Sequence, residues 1–542
     1  MKKFINIKLL FVGLIIAMAI FSACEDDEKN LGNPPRLFRP VMNDVSSGMT
    51  WIKVVWDKYK GVEAYQLQIS TDSFKTVLRD VTTDKTEYIF EDLDYDTTYQ
   101  LRIKSLGTDI FSDWYVMENV KTADYPTKLI TPTATDVIDV AVRVMWTPSE
   151  LVYTRLDVFK EDLLVKTVPL SEKDNLACQK IITDLMPEQT YVIKIYAGDE
   201  YCGKKTYTTT TSENFGENTV DLRSLSEEAS RAVITQNFVD SIHALYSEGV
   251  TVVLMGGYTY EISTVLISHN IRFTTGLSLR GKAMMAINGN FGISSAADKP
   301  TIRFDKIFFT EGTQTGKRKT DSNYGGTYVF NINQSGANAR KIELNYCDIK
   351  YKRGVIRMQT TSQIDSVTIN NCVMDSIGGY GVVNNGHDAA YIGDIVVVNS
   401  TIAHADKVLV GGKALGVNSV TMQNVTTCYA PANKDSYFLD YNKNPVPGGI
   451  VLKNCLFGAG QDTTNGVRGM RSACQNILVS GCYRTSDLIW YVPEGTTEPA
   501  NPINDLIQLN VTTDELFRDP RHSDFTVTHE LIVNKIGDPR WW

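Results

Sequence analysis

Ile342-Glu-Leu-Asn-Tyr-Cys347 decides the fold, because the same pattern keeps returning. It recurs as Val367-Thr-Ile-Asn-Asn-Cys372, Ile395-Val-Val-Val-Asn-Ser400, Val420-Thr-Met-Gln-Asn-Val425, Ile450-Val-Leu-Lys-Asn-Cys455 and Ile477-Leu-Val-Ser-Gly-Cys482. The starts are 25, 28, 25, 30 and 27 residues apart. A period of this length marks stacked units. One unit cannot bury its own apolar side, so neighbours stack into a continuous core. One column of the repeat holds Asn371, Asn399, Asn424 and Asn454, with Tyr346 and Gly481 at its ends. Asparagine tolerates the left-handed backbone conformation, and stacked amides can bond along the column. The next column holds Cys347, Cys372, Ser400, Val425, Cys455 and Cys482. It reads as small buried residues filling a tight space.

A second strand follows in most repeats: Gly354-Val-Ile-Arg-Met358, Gly381-Val-Val-Asn-Asn385, Val408-Leu-Val-Gly-Gly412, Tyr437-Phe-Leu-Asp-Tyr441 and Gly466-Val-Arg-Gly-Met470. Placing Ile356, Val383, Val410, Leu439 and Val467 inward predicts an outward strip of Arg357, Asn384, Gly411, Asp440 and Arg468. At about 4.8 Å per turn the strip extends about 19 Å, room for several sugars. Upstream, Phe238, Val239, Ile242 and Leu245 recur at helical spacing over 236–248. Such a helix would cover the first turn's apolar interior and open edge. Downstream, Asp514 to Arg521, Phe525 and Gly537-Asp538-Pro539-Arg540-Trp541-Trp542 read as a closing cap, with Trp541 and Trp542 on the last turn.

The asparagine column on stacked strands resembles the asparagine ladder of pectate-lyase-like right-handed parallel β-helices. The resemblance assigns residues 214–542 to that fold and places the active face on the strand before the asparagine turn. By position this is the strip from Arg357 to Arg468.

Residues 34–124 and 125–213 alternate in short strands, as in Trp51-Ile52-Lys53-Val54-Val55-Trp56 and Tyr99-Gln100-Leu101-Arg102-Ile103. Leu93 stands six residues before Tyr99, and Leu185 with Tyr191 repeats the spacing; Val144-Met145-Trp146 repeats Val54-Val55-Trp56. This resembles the tyrosine corner of fibronectin type III domains. The expected class is therefore all-β: two fibronectin type III-like sandwiches, then a parallel β-helix with an N-terminal capping helix. Trp51, Trp114 and Tyr115 read as packing, with a sugar platform as the alternative. Pairing of Cys178 with Cys202 stays open.

At the N-terminus, Lys2, Lys3 and Lys8 flank an apolar run that ends in Phe21-Ser22-Ala23-Cys24. This pattern is a secretory signal, and its last residues resemble a lipobox. The resemblance implies a signal over 1–23 and lipidation of Cys24. Glu25-Asp26-Asp27-Glu28 opens an acidic tether over 24–33 and resembles the surface-export signal of Bacteroidetes lipoproteins. The whole chain resembles the surface lipoproteins of Bacteroidetes polysaccharide utilisation. That implies an outer-membrane, lipid-anchored, cell-surface protein. Its implied partners are an acidic, pectin-like polysaccharide and glycan-uptake proteins of the outer membrane, with membrane contact only through the lipid.

The 542 residues carry 54 Lys+Arg against 63 Asp+Glu, a formal charge of -9. Removing the leader's three lysines leaves 51 against 63. That balance disfavours nucleic acid as a partner. The resemblance suggests three readings: glycan binding, uronate cleavage by β-elimination, or a structural surface role. Elimination needs a neutralised carboxylate and a base for the α-proton. Arg357, Arg468 and Arg471 are the candidate carboxylate clamps. Lys413 is the candidate base, followed by His387. Arg357, Arg468 and Lys413 form the candidate catalytic set, with Asn384, His387, Asp440 and Arg471 as substrate contacts. Asp440 beside these cations also fits ordinary surface ion pairing. No cofactor is required by the sequence; Ca2+ is compatible with the fold, although Asp388 and Asp440 alone are too few for a cage. Lys317-Arg318-Lys319 reads as a solvated basic loop.

Overall fold

The computed structural model describes residues 36–312, 324, 326–412, 416–529 and 535–542. The chain divides into two compact units. One is built from the chain up to Pro132 with Val144–Lys180 and Thr190–Thr208; the other from Thr133–Arg143, Ile181–Gln189 and the chain from Thr209 onward.

In the first unit, Met42–Ser47, Ile52–Trp56 and Glu87–Phe90 form one antiparallel sheet. Arg79–Thr83, Ala64–Ser70 and Thr98–Gly107 form the other, with Ile110–Phe111 and Tyr115–Lys121 added on Thr98–Gly107. Alternation sends Ile52, Val54 and Trp56 into the core with Tyr65, Leu67 and Ile69. The tyrosine corner is present: the Asp94 N–H donates to the Tyr99 hydroxyl at 2.9 Å. Leu93 and Tyr99 are both buried. Sheet order and corner together give the fibronectin type III fold. The motif repeats downstream in an antiparallel sheet of Leu163–Pro169, Arg155–Lys160, Thr190–Ala197 and Glu200–Thr208. There Trp146 packs edge-on against Tyr153, as Trp56 does against Tyr65.

The second unit is a parallel β-solenoid of about nine turns. Each complete turn has three faces. Face A carries the quoted repeat, as in Ala337–Asn345 and Ser362–Asn370, paired in parallel and in register. Face B follows the asparagine turn, as in the pairing of Val373 with Thr401. Face C carries the second strand of the repeat, as in the pairing of Ile356 with Val383. Inward residues stack turn on turn; Phe273 and Phe304 lie 5.2 Å apart and nearly parallel.

Asn371, Asn399, Asn424 and Asn454 all take the left-handed conformation, with φ of 54°, 49°, 54° and 52°. The Asn454 amide donates to Asn424 at 2.7 Å, and Asn424 to Asn399 at 2.8 Å. Asn399 and Asn371 both donate to the Asn370 carbonyl, at 3.3 and 2.9 Å. The neighbouring column, Cys347 to Cys482, is fully buried. All eight cysteines described are free thiols, Cys178 and Cys202 among them.

The helix Gln236–Leu245 begins at Thr235, whose hydroxyl accepts the Phe238 N–H. Val239 and Ile242 are buried against the first turns, while Leu245 faces solvent. The Gln236 side chain acts as a one-residue strand. Its amide donates to the Leu266 carbonyl at 3.0 Å, and its carbonyl accepts the Leu266 N–H at 2.7 Å. This satisfies backbone groups that an open edge leaves free.

The C-terminal segment corrects the closing-cap expectation. It turns back across face B instead of ending on the last turn. Thr513 bonds Ala459, Gly537 bonds Asn454, and Asp538 bonds both Thr426 and Thr401. The Trp541 indole donates to Thr401, in the turn of Asn399, at 2.8 Å. Outward Ala403, Cys428 and Leu456 make an apolar strip that Leu516, Phe517, Phe525 and Ile536 cover. Asp375 pins this flap. It accepts from Ser523 on the flap and from His404 at 2.9 Å on face B, where it also forms an ion pair with Lys350 at 3.1 Å.

Candidate functional site

Face C presents the predicted strip with two corrections. The observed column runs Arg357, Asn384, Val410, Asp440, Arg471. Leu409, not Val410, points inward, so Val410 replaces Gly411; three consecutive apolar residues hide the parity. Gly411 instead admits Tyr441, whose ring would stand 2.6 Å from a Cβ there. Arg468 pairs with Tyr437, three residues before the column, because Val467 bridges to Trp490 and the strand enters later. Arg471 takes the place expected of Arg468. Asp440 meets Arg471 through two parallel bonds of 2.8 and 2.9 Å.

The column ends in two arginine–tyrosine clusters. At one end Arg357 donates to the Tyr328 hydroxyl at 3.0 Å and lies over the Tyr380 ring at 4.3 Å. Arg353 covers the same ring at 4.6 Å, and the two tyrosines meet edge-on. At the other end Arg468 donates to the Tyr437 hydroxyl at 2.6 Å and lies 5.0 Å over Tyr491. Arg471 lies 4.5 Å over Tyr437, and Lys434 reaches Tyr491. Four turns separate Arg357 from Arg471, about 19 Å.

Only 5% of Tyr328 and 4% of Tyr437 is exposed. These rings therefore offer no open face to a sugar; they hold guanidinium groups in place. Burial pushes the Tyr328 phenol up against the opposing pull of Arg357 and Arg353, so it stays protonated. Hydrogen bonding to Asp440 raises Arg471 further. Among the described residues, no carboxylate lies within 4 Å of the side chains of Arg353, Arg357 or Arg468. Their charge is held by neutral phenols and π faces.

Asn384 is buried beside Arg357 in the column, and His387 sits in the turn after face C. The His387 Nδ1 accepts the Ala389 N–H at 3.1 Å, so a neutral ring carries its proton on Nε2 and has no lone pair there for a base. Lys413, Cys24 and the loop Lys317-Arg318-Lys319 lie outside the described residues. No group of three or more His, Cys, Asp or Glu is placed to hold a metal among the described residues. Trp114 packs against Arg102 and Lys104, at 4.6 and 4.8 Å, and Tyr115 packs on the first sandwich core.

The sequence reading missed Tyr328, Arg353, Tyr380 and Tyr491. Tyr328 lies 26 residues before its face C partner Gly354. The repeat extended back one period would have reached it.

Residues 416–541 match the family model described as a domain of unknown function, DUF5123. The match takes in the last turns together with the returning flap. No curated protein matches the chain. Two solved structures are similar to it in part. A two-domain fibronectin type III segment of chicken tenascin is 17% identical; it covers 32% of this chain and 100% of its own, at a TM-score of 0.18. The first three fibronectin domains of chicken CNTN1 are 18% identical, covering 33% of this chain and 67% of their own, at 0.14.

Proposed function

We propose that the protein is a surface glycan-binding protein that holds an acidic, pectin-like polysaccharide along face C. The observation that carries this is the pair of arginine–tyrosine clusters in which Arg353, Arg357 and Arg468 meet no carboxylate among the described residues. A guanidinium binds a carboxylate through two parallel hydrogen bonds. Two such sites on one face suit a chain bearing a carboxylate on each sugar. Linking weak sites raises the overall affinity of a polymer that reaches both. The arginines supply the neutralising charge, so binding is proposed to need no Ca2+. Lipidation at Cys24 and display on the outer membrane complete the reading, with the fibronectin type III sandwiches as spacers.

The test is affinity electrophoresis of the full chain on polygalacturonate and on a neutral galactan. Retardation by the acidic polymer alone, unchanged by EDTA, is expected. Equal retardation by both, or none, contradicts the reading. Absorbance near 235 nm in the same mixtures reads elimination; a rise that Lys413→Ala abolishes would make the protein a lyase. Protease shaving of whole cells tests the surface location, with loss of the protein from intact cells expected.

A further inference from the structure

The asparagine column does not begin with asparagine. Lys306 and, one turn later, Tyr346 hold its left-handed conformation, with φ of 56° and 55°, where every later member is Asn or Gly. A bulky side chain there is strained. It is not a core residue, since 53% of Tyr346 is exposed. Lys282, Lys306, Asn371 and Arg540 line one groove of about 410 Å3 with it. Each cation already has one carboxylate: Lys282 meets Asp348 at 2.7 Å, Lys306 meets Glu213 at 3.6 Å, and Arg540 meets Asp538. Arg540 spends only its Nε on Asp538. Both its Nη groups make no bond among the described residues, and these form the fork that binds a carboxylate.

We propose that this groove is a second carbohydrate site, taking a single uronic acid residue whose ring lies on Tyr346 and whose carboxylate meets Arg540. An exposed ring is the platform that the buried tyrosines of face C cannot provide. The flap that crosses face B delivers Arg540, so the site exists only when the flap is seated. It lies on the corner between faces A and B and does not depend on the binding proposed for face C.

The test titrates trigalacturonate into the full chain carrying Arg357→Ala and Arg468→Ala, which removes one guanidinium from each face C cluster. Binding is expected to persist there. Tyr346→Asn is the decisive variant, because asparagine is what the column uses at this conformation. It is expected to raise Kd at least tenfold while the melting temperature holds or rises. Arg540→Gln should weaken trigalacturonate similarly, and a neutral galactose trisaccharide should bind at least tenfold more weakly than trigalacturonate. No binding in the face C variant, or an unchanged Kd in Tyr346→Asn, overturns the site. Equal affinity for the neutral trisaccharide overturns the carboxylate assignment.

Discussion

Arg357 reaches across one turn of the coil to the hydroxyl of Tyr328, at 3.0 Å, while its guanidinium rests 4.3 Å above Tyr380. The geometry fixes the cation without neutralising it. Arg471, by contrast, is neutralised by Asp440. At that end Asp440 offsets one of three cations, and Arg468 and Lys434 remain beside the tyrosines.

Arg357→Ala should weaken polygalacturonate binding about tenfold, near 1.4 kcal/mol. Arg471→Ala should do less, because its charge already serves Asp440. Tyr328→Phe keeps the ring and loses the hydroxyl, so a smaller loss is expected. Binding isotherms of the three variants check the order. Raising the salt should weaken the wild type more than Arg357→Ala, since exposed charges are screened.

Asn424 both donates to Asn399 and accepts from Asn454. Asn424→Ala removes two amide bonds, each worth about 1 kcal/mol, and strains the left-handed backbone by about 1 more. A loss of about 2–3 kcal/mol is expected in urea unfolding. Asn424→Gly should lose less, because glycine adopts that conformation freely.

Much of this architecture is legible in the sequence. The period from Ile342 to Cys482 gives the coil, and the asparagine column gives its turns. Tyr99 and Leu93 give the sandwich corner. What fails is parity inside short apolar runs. Val408, Leu409 and Val410 are alike in polarity, and only the neighbouring turn decides which points inward. The flap is hidden for another reason: Leu516, Phe517 and Phe525 announce that they will be buried but not against what. The strip they cover, Ala403, Cys428 and Leu456, comes from three separate turns. The candidate site was half legible. Arg357 and Asp440 stand where expected, whereas the tyrosines that hold the cations come from neighbouring turns.

Asp375 should set the acid stability of the flap. Burial alone would raise its pKa. Hydrogen bonds from His404 and Ser523, with the charges of His404 and Lys350, outweigh that and hold it well below the ordinary carboxylate range. A depressed carboxylate stabilises fully above its unfolded pKa and loses that contribution as pH falls toward its folded value. The flap should therefore stay seated at neutral pH and loosen progressively below about pH 4. Asp375→Asn should destabilise the protein by about 3–5 kcal/mol at neutral pH and flatten the acid limb. Hydrogen exchange at 509–529, followed against pH, checks both.

His243 is buried on the inner face of the capping helix, and burial, with the neighbouring His269 charge, lowers its pKa to about 4. It stays neutral in the fold but protonates when unfolded, near pH 6.5. Stability should thus fall as pH drops from about 6.5 to 4, by up to about 3 kcal/mol. His243→Leu should remove that slope from thermal melts while leaving the lower limb set by Asp375.

Binding by the two clusters together is tested most directly with a length series of oligogalacturonates, titrated calorimetrically into the full chain with and without Arg468→Ala. Affinity is expected to jump once the chain can span about 19 Å, the distance from Arg357 to Arg471, and Arg468→Ala should abolish the jump while sparing short fragments. Affinity that does not change with length, or a jump that survives in Arg468→Ala, would contradict a polysaccharide held along face C.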